Sequence, residues 1–235
     1  TVATVHARNG GSNSFDMDPT AGTDIIPCVG RTGILQKFDP NGNYLWGKRF
    51  VPIFGTGTCD IEHATSDLNS NIITAGYFRE TIDFNPDSGV DTITGAGDFN
   101  LFIHKLDSSG SHQWVKSIQS QSGSGSLNYI QKLATDDAGN IYAVGFLREA
   151  LDMDPGVGIF ILTPTATSNA FLLKLDENGD FIYAKMWGDT IAAGLGNVFV
   201  DDLSGNVLVS GNFYGTMDAD PGTGVVNVTS NNASD

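Results

Sequence analysis

Four short segments, DMDP from Asp16, DFNP from Asp83, DMDP from Asp152 and DADP from Asp218, recur along the chain at spacings of 67, 69 and 66 residues. Two further series keep the same order and period. LQKFDPNGNYLWGKRF, FIHKLDSSGSHQWVKSI and FLLKLDENGDFIYAKMW place Asp39, Asp107 and Asp176 at intervals of 68 and 69. SDLNSNIITAGYF, DDAGNIYAVGFL and DDLSGNVLVSGNF space Gly76, Gly145 and Gly211 by 69 and 66. A long period held by independent markers restricts the chain to repeat architectures, in which each unit buries its apolar faces against its neighbours.

Each unit reads as short β-rich runs separated by turn signals. Strand A lies around Ile61 or Ile130, and strand B ends in a G-Y/F/N-F/L corner. The D-x-D/N-P segment follows as an extended connection, then strand C (F-L-x-K-L-D), a tight D-x-x-G hairpin turn and strand D with its aromatic. The expected fold is all-β: a β-propeller of four-stranded antiparallel blades with a repeat of about 68 residues. The expected boundaries are a partial blade at 1–57, whole blades at 58–127 and 128–194, and a partial blade at 195–235. That makes roughly three and a half units, fewer than the four or more that close a propeller. The count predicts a fragment of a longer chain, with a ring completed by two copies or another subunit as the alternative.

The combination GNIYAVGFL, ALDMDPGVG and AFLLKLDENGDFIYAKMWG resembles the bacterial SBBP-type β-propeller repeat, in its variant with a D-F-D-P-G-x-G insert. The resemblance covers essentially the whole chain. It implies a secreted or surface-exposed bacterial protein, often a large multidomain chain ending in a type IX secretion sorting domain. It brings no known catalytic activity.

Composition narrows the partners. The chain carries 27 Asp and Glu against 12 Lys and Arg, a net charge of -15. Nucleic acid and anionic membrane surfaces need clustered basic groups, so both are disfavoured. Hydrophobic residues form 40% of the chain and charged residues 17%, enough apolar material for a sizeable core. No apolar run reaches the roughly 18 residues of a membrane span, and direct membrane insertion is not expected.

Oxygen-bearing side chains at i and i+2 of the D-x-D/N-P segment are a plausible start for a Ca²⁺ site, which nearby carbonyls and a third carboxylate would complete. The candidate ligands are Asp16, Asp18 and Asp24; Asp83, Asn85, Asp87 and Asp91; Asp152 and Asp154; and Asp218 and Asp220. Unit three has Ile159 and Phe160 where Asp24 and Asp91 would match. The competing reading is that Asp before Pro caps local N–H groups in a turn. No other cofactor is implied.

Trp46, Trp114 and Tyr183 are equivalent, and two readings stand for them: large rings packed between blades, or exposed rings that stack on sugars. Lys37, Lys105 and Lys174 form one equivalent set, and Lys48, Lys116 and Lys185 another. Structural roles are preferred for both, either pairing with repeated aspartates or covering and protecting strand edges. Cys28 and Cys59 are either one disulfide or two unrelated buried thiols.

Catalytic constellations are not visible. His6, His63, His104 and His112 do not recur in register, His104 matching Gln36 and Leu173, and carboxylates present in every unit read as structure. The expected function is therefore a noncatalytic extracellular module, a scaffold for adhesion or protein interaction. The alternatives are a glycan-binding propeller and a lyase or hydrolase on the same scaffold. Expected partners are the rest of the same chain or other copies, and a surface glycan or protein.

Overall fold

The computed structural model describes residues 14–28, 30–96, 99–121, 125–188 and 193–230 in full and the backbone of 2–7. The described residues form strands and turns, with no helix. The first unit contributes β1 (Val2–Ala7), β2 (Ser14–Asp16), β3 (Ile25–Pro27), β4 (Thr32–Phe38) and β5 (Tyr44–Pro52). The second contributes β6 (Thr58–Ser66), β7 (Ile72–Arg79), β8 (Thr81–Asp83), β9 (Thr92–Thr94), β10 (Asn100–Leu106) and β11 (His112–Ile118). The third holds β12 (Tyr129–Thr135), β13 (Ile141–Leu147), β14 (Leu151–Asp152), β15 (Ile161–Leu162), β16 (Asn169–Leu175) and β17 (Phe181–Trp187). The fourth holds β18 (Ala193–Asp201), β19 (Asn206–Phe213), β20 (Thr216–Asp218) and β21 (Asn227–Thr229).

The two complete units are four-stranded antiparallel sheets, β6-β7-β10-β11 and β12-β13-β16-β17, in the order expected for strands A to D. The first unit pairs β1-β4-β5 and the last β18-β19. The connection between strands B and C departs from the sequence expectation. Instead of an extended passage it is a small hairpin in every unit: β2–β3, β8–β9, β14–β15 and β20–β21.

Each complete sheet is buried on both faces. On β10, Phe102 joins a core with Leu35, Phe50 and Ile61, while its neighbours Leu101 and Ile103 join another with Ile130, Phe171 and Leu173. On β16, Leu172 turns instead to a third core with Leu195, Val198 and Val200. Successive side chains of a strand point to opposite faces, so a sheet covered on both sides reads as the continuous apolar runs FLLKL and IYAVGFL rather than as alternation.

Cys28 and Cys59 are two separate buried thiols, so the disulfide reading does not hold. Cys59 is fully buried on β6 with its Sγ against Gly33, and burial pushes its thiol well above the ordinary cysteine range.

The recurring glycine of strand B has a steric cause. Strand A carries a bulge in each unit that has one, between Ile61 and His63, Ile130 and Lys132, and Leu195 and Asn197. A Cβ on Gly76, Gly145 or Gly211 would overlap the backbone of that bulge, at Asp60, Tyr129 and Gly194 respectively. Backbone has no rotamer by which to yield. Gly145→Ala is therefore expected to destabilise the protein by about 2–3 kcal/mol, read as a fall in the urea midpoint.

Candidate functional site

The candidate residues converge on the seams between consecutive sheets. In each insert hairpin the first aspartate uses one carboxylate oxygen to accept two backbone N–H groups. Oδ1 of Asp83 takes those of Asn85 and Asp91, both at 3.0 Å. Asp16 does so with Asp18 and Asp24, Asp152 with Asp154 and Phe160, and Asp218 with Asp220 and Val226. The acceptor thus always holds the residues two and eight positions ahead, which fixes the hairpin's width.

The second oxygen-bearing residue closes a tighter turn inside the first. Oδ1 of Asp18, Asn85, Asp154 and Asp220 accepts the N–H of Thr20, Asp87, Gly156 and Gly222 at 2.7–2.9 Å. Its side chain lies over Gly22, Gly89, Gly158 or Gly224, where a Cβ would collide with it. These glycines share the period of the D-x-D/N-P motif, Gly158 and Gly224 being the second glycine of the D-F-D-P-G-x-G pattern.

The third acidic positions, Asp24 and Asp91, face their own strand D. The Tyr44 hydroxyl donates to Asp24 Oδ2, and Asp91 Oδ2 lies 2.9 Å from His112 Nε2. In unit three the same two positions hold Phe160 and Phe181, with ring centroids 5.0 Å apart. The site is one contact with three chemistries. Among the described residues no group of three or more His, Cys, Asp and Glu side chains is arranged to hold a metal ion.

The inserts also reach back to the preceding sheet. β8 pairs with the end of β5 through Val51–Asp83 and Pro52–Ile82. Leu151 bridges Ser120 beyond β11, and Trp187 Nε1 donates to the Ala219 carbonyl at 3.1 Å. Strand D therefore has a neighbour at one end of its outer edge.

At the other end of the sheets the lysines and aromatics form a clasp. Lys37 Nζ donates to the Ser108 carbonyl at 2.6 Å, while Trp46 and Lys48 pack where a Cβ on Gly110 would stand. One unit later, Lys105 donates to the Glu177 carbonyl at 3.2 Å while Trp114 and Lys116 cover Gly179. Each clasp grips the Asp-x-x-Gly turn of the following sheet. Lys48 pairs further with Asp87, Lys116 with Asp180, and Lys105 with Asp67 of its own sheet. Trp46 and Trp114 are thus half-buried against a neighbour. Lys174 and Tyr183 sit at the third clasp, Lys174 near Asp136 at 3.8 Å, and Lys185 is exposed.

His104 and His112 make a pair that register alone concealed. His104, fully buried beneath Phe50 and Phe84, shares a 2.9 Å hydrogen bond with His112 Nδ1, extending the Asp91–His112 contact inward. Burial, with the neighbouring His112, pushes His104 well below the usual imidazole range. His63 accepts the Leu133 N–H at 3.3 Å, and burial followed by nearby Lys132 lowers it to about 4. The side chain of His6 lies outside the described residues.

No protein-family model matches the chain, and a search of curated proteins returns no match.

Asp152→Asn keeps the Oδ1 acceptor and should leave the melting temperature within a degree or two, whereas Asp152→Ala strands two N–H groups and should cost about 2 kcal/mol. Melting should be the same in excess EDTA and in millimolar Ca²⁺; a rise with Ca²⁺ that Asp152→Asn abolishes would instead place the ion here. His63 and His104 predict a pH dependence. Both are lowered by folding, so the unfolded chain binds more protons below pH 6.5 and stability falls on acidification. The expected slope is up to about 1.4 kcal/mol per pH unit for each imidazole. His104→Gln, the residue found at Gln36, should remove its share of the slope between pH 7 and 5.

Proposed function

We propose that the chain is a noncatalytic β-propeller module acting as a rigid scaffold for adhesion or protein interaction in a secreted or cell-surface bacterial protein. Residues 1–57 and 195–235 are read as partial blades, and 58–127 and 128–194 as whole ones. One observation carries the reading. The insert aspartates engage their own hairpins in every unit, and at the two occupied seams the clasp lysines and tryptophans engage the adjoining sheet. Chemistry repeated in every unit and directed at the next unit builds a rigid array.

The histidine–carboxylate chain fits the same reading. It runs inward from Asp91 to an imidazole packed under two phenyl rings rather than toward an open cleft. Trp46 and Trp114 each rest one ring edge on a glycine turn of the following sheet and are half-buried there, which favours packing over stacking on a sugar.

The test combines a glycan array with a panel of chromogenic glycoside, ester and uronide substrates. The scaffold reading expects neither binding nor turnover at micromolar protein. Saturable glycan binding would replace it with the lectin reading, and turnover lost on His112→Ala with the enzymatic one.

A further inference from the structure

The fourth unit exposes what the other units cover. β7 lies between β6 and β10, and β13 between β12 and β16, but β19 pairs only with β18 among the described residues. Val207, Val209 and Phe213 stand where unit two has Ile72, Thr74 and Phe78. The latter are 0–1% exposed, whereas the former are only partly buried. Between β19 and the third sheet lies an apolar cavity of about 370 Å³ lined by Ala170, Trp187, Leu195, Val209, Phe213 and Met217. By repeat equivalence it is the place that Phe102 fills in unit two, against Phe78 and Phe84. Beside it stands the third clasp, Lys174, Tyr183 and Lys185, with no Asp-x-x-Gly turn on it among the described residues.

We infer that this face binds a β-hairpin of the repeat's own chemistry, supplied by a further repeat unit. One strand of that hairpin adds to the free edge of β19, and its large apolar residue fills the cavity. Its Asp-x-x-Gly turn seats on Tyr183 and Lys185 with a carbonyl toward Lys174. The inference deepens the scaffold reading and rests on it. Its warrant is continuity with two occupied interfaces, where Lys37 meets Ser108 and Lys105 meets Glu177, and Trp46 and Trp114 cover the turn glycines. Main-chain pairing along an open edge supplies affinity, and side-chain pockets beside it supply register. Charge agrees as well, since lysines of an acidic chain face a turn that carries an aspartate.

The experiment uses the full chain and a fluorescein-labelled peptide of residues 169–187, which contains β16, the Asp176–Gly179 turn and β17. Its Asp176, Glu177 and Asp180 outnumber Lys174 and Lys185, so general charge attraction to an acidic protein does not favour it. Anisotropy is expected to show saturable one-to-one binding. Phe171→Ser or Gly179→Val in the peptide, and Val209→Arg in the protein, should each weaken binding at least tenfold. In the protein, Lys185→Glu changes an exposed side chain, should leave the melting temperature unchanged, and should also weaken binding.

Absence of binding, or equal binding of a shuffled peptide, overturns the inference. So does sedimentation velocity showing a dimer whose formation blocks the peptide, which gives the face to a second whole copy. An apolar dye that fills the cavity and resists displacement by the peptide overturns it in favour of a small ligand. Peptide failure without glycan or substrate hits removes this inference and leaves the scaffold reading in place; glycan or substrate hits remove the scaffold reading and this inference with it.

Discussion

A single carboxylate oxygen accepting the N–H groups two and eight residues ahead sets the geometry on which the seams depend. It occurs in all four units, at Asp16, Asp83, Asp152 and Asp218. Acceptance of both N–H groups by one oxygen holds a loop to one width, and the loop then presents three edges at once. In units two and three its backbone reaches the preceding sheet, its apolar residue enters the core, and its residue at position eight meets strand D of its own sheet. A scaffold with this many turns needs many carboxylates close to backbone N–H groups. Asp39, Asp67, Asp107, Asp136 and Asp176 repeat the device on the hairpin turns, each through Oδ1 to two N–H groups. Part of the strongly acidic composition follows from that architecture.

Sheets covered on both faces cannot be stable alone. Phe102 and Leu101 are neighbours in sequence yet belong to different cores, so removing either adjoining sheet exposes one of them. Burial of each such side chain contributes on the order of 2 kcal/mol, which makes stability a property of the stack rather than of one unit. The clasp adds direction to this dependence. A unit's own lysines and aromatic act on the turn that follows, while its own turn receives the clasp of the unit before.

Much of this was legible in sequence and some was not, for physical reasons. Strand order and the all-β class follow from periodic turn signals, and the continuous apolar runs mark two-sided burial. The insert hairpin escaped notice because its closing contact runs from a side chain to a backbone N–H eight residues away, leaving no demand on the identity of the distant residue: Asp24, Asp91, Phe160 and Val226 all serve. The Asp24–Tyr44, Asp91–His112 and Phe160–Phe181 pairs escaped for the opposite reason. Each position taken alone breaks the repeat, and only the two together preserve a contact. The histidines looked incidental for that reason, although His104 and His112 replace Gln36 and Tyr44 as a set.

The central claim is that a sheet's stability is transmitted to its successor through the clasp. Native-state hydrogen exchange of Trp114→Ala tests it most directly, because Trp114 belongs to β11 while the turn it covers lies between β16 and β17. Faster exchange is expected at Asn178 and Asp180, the amides held by Asp176, together with the loss in β11 itself. Loss confined to β10 and β11, with Asn178 and Asp180 unchanged, would contradict it.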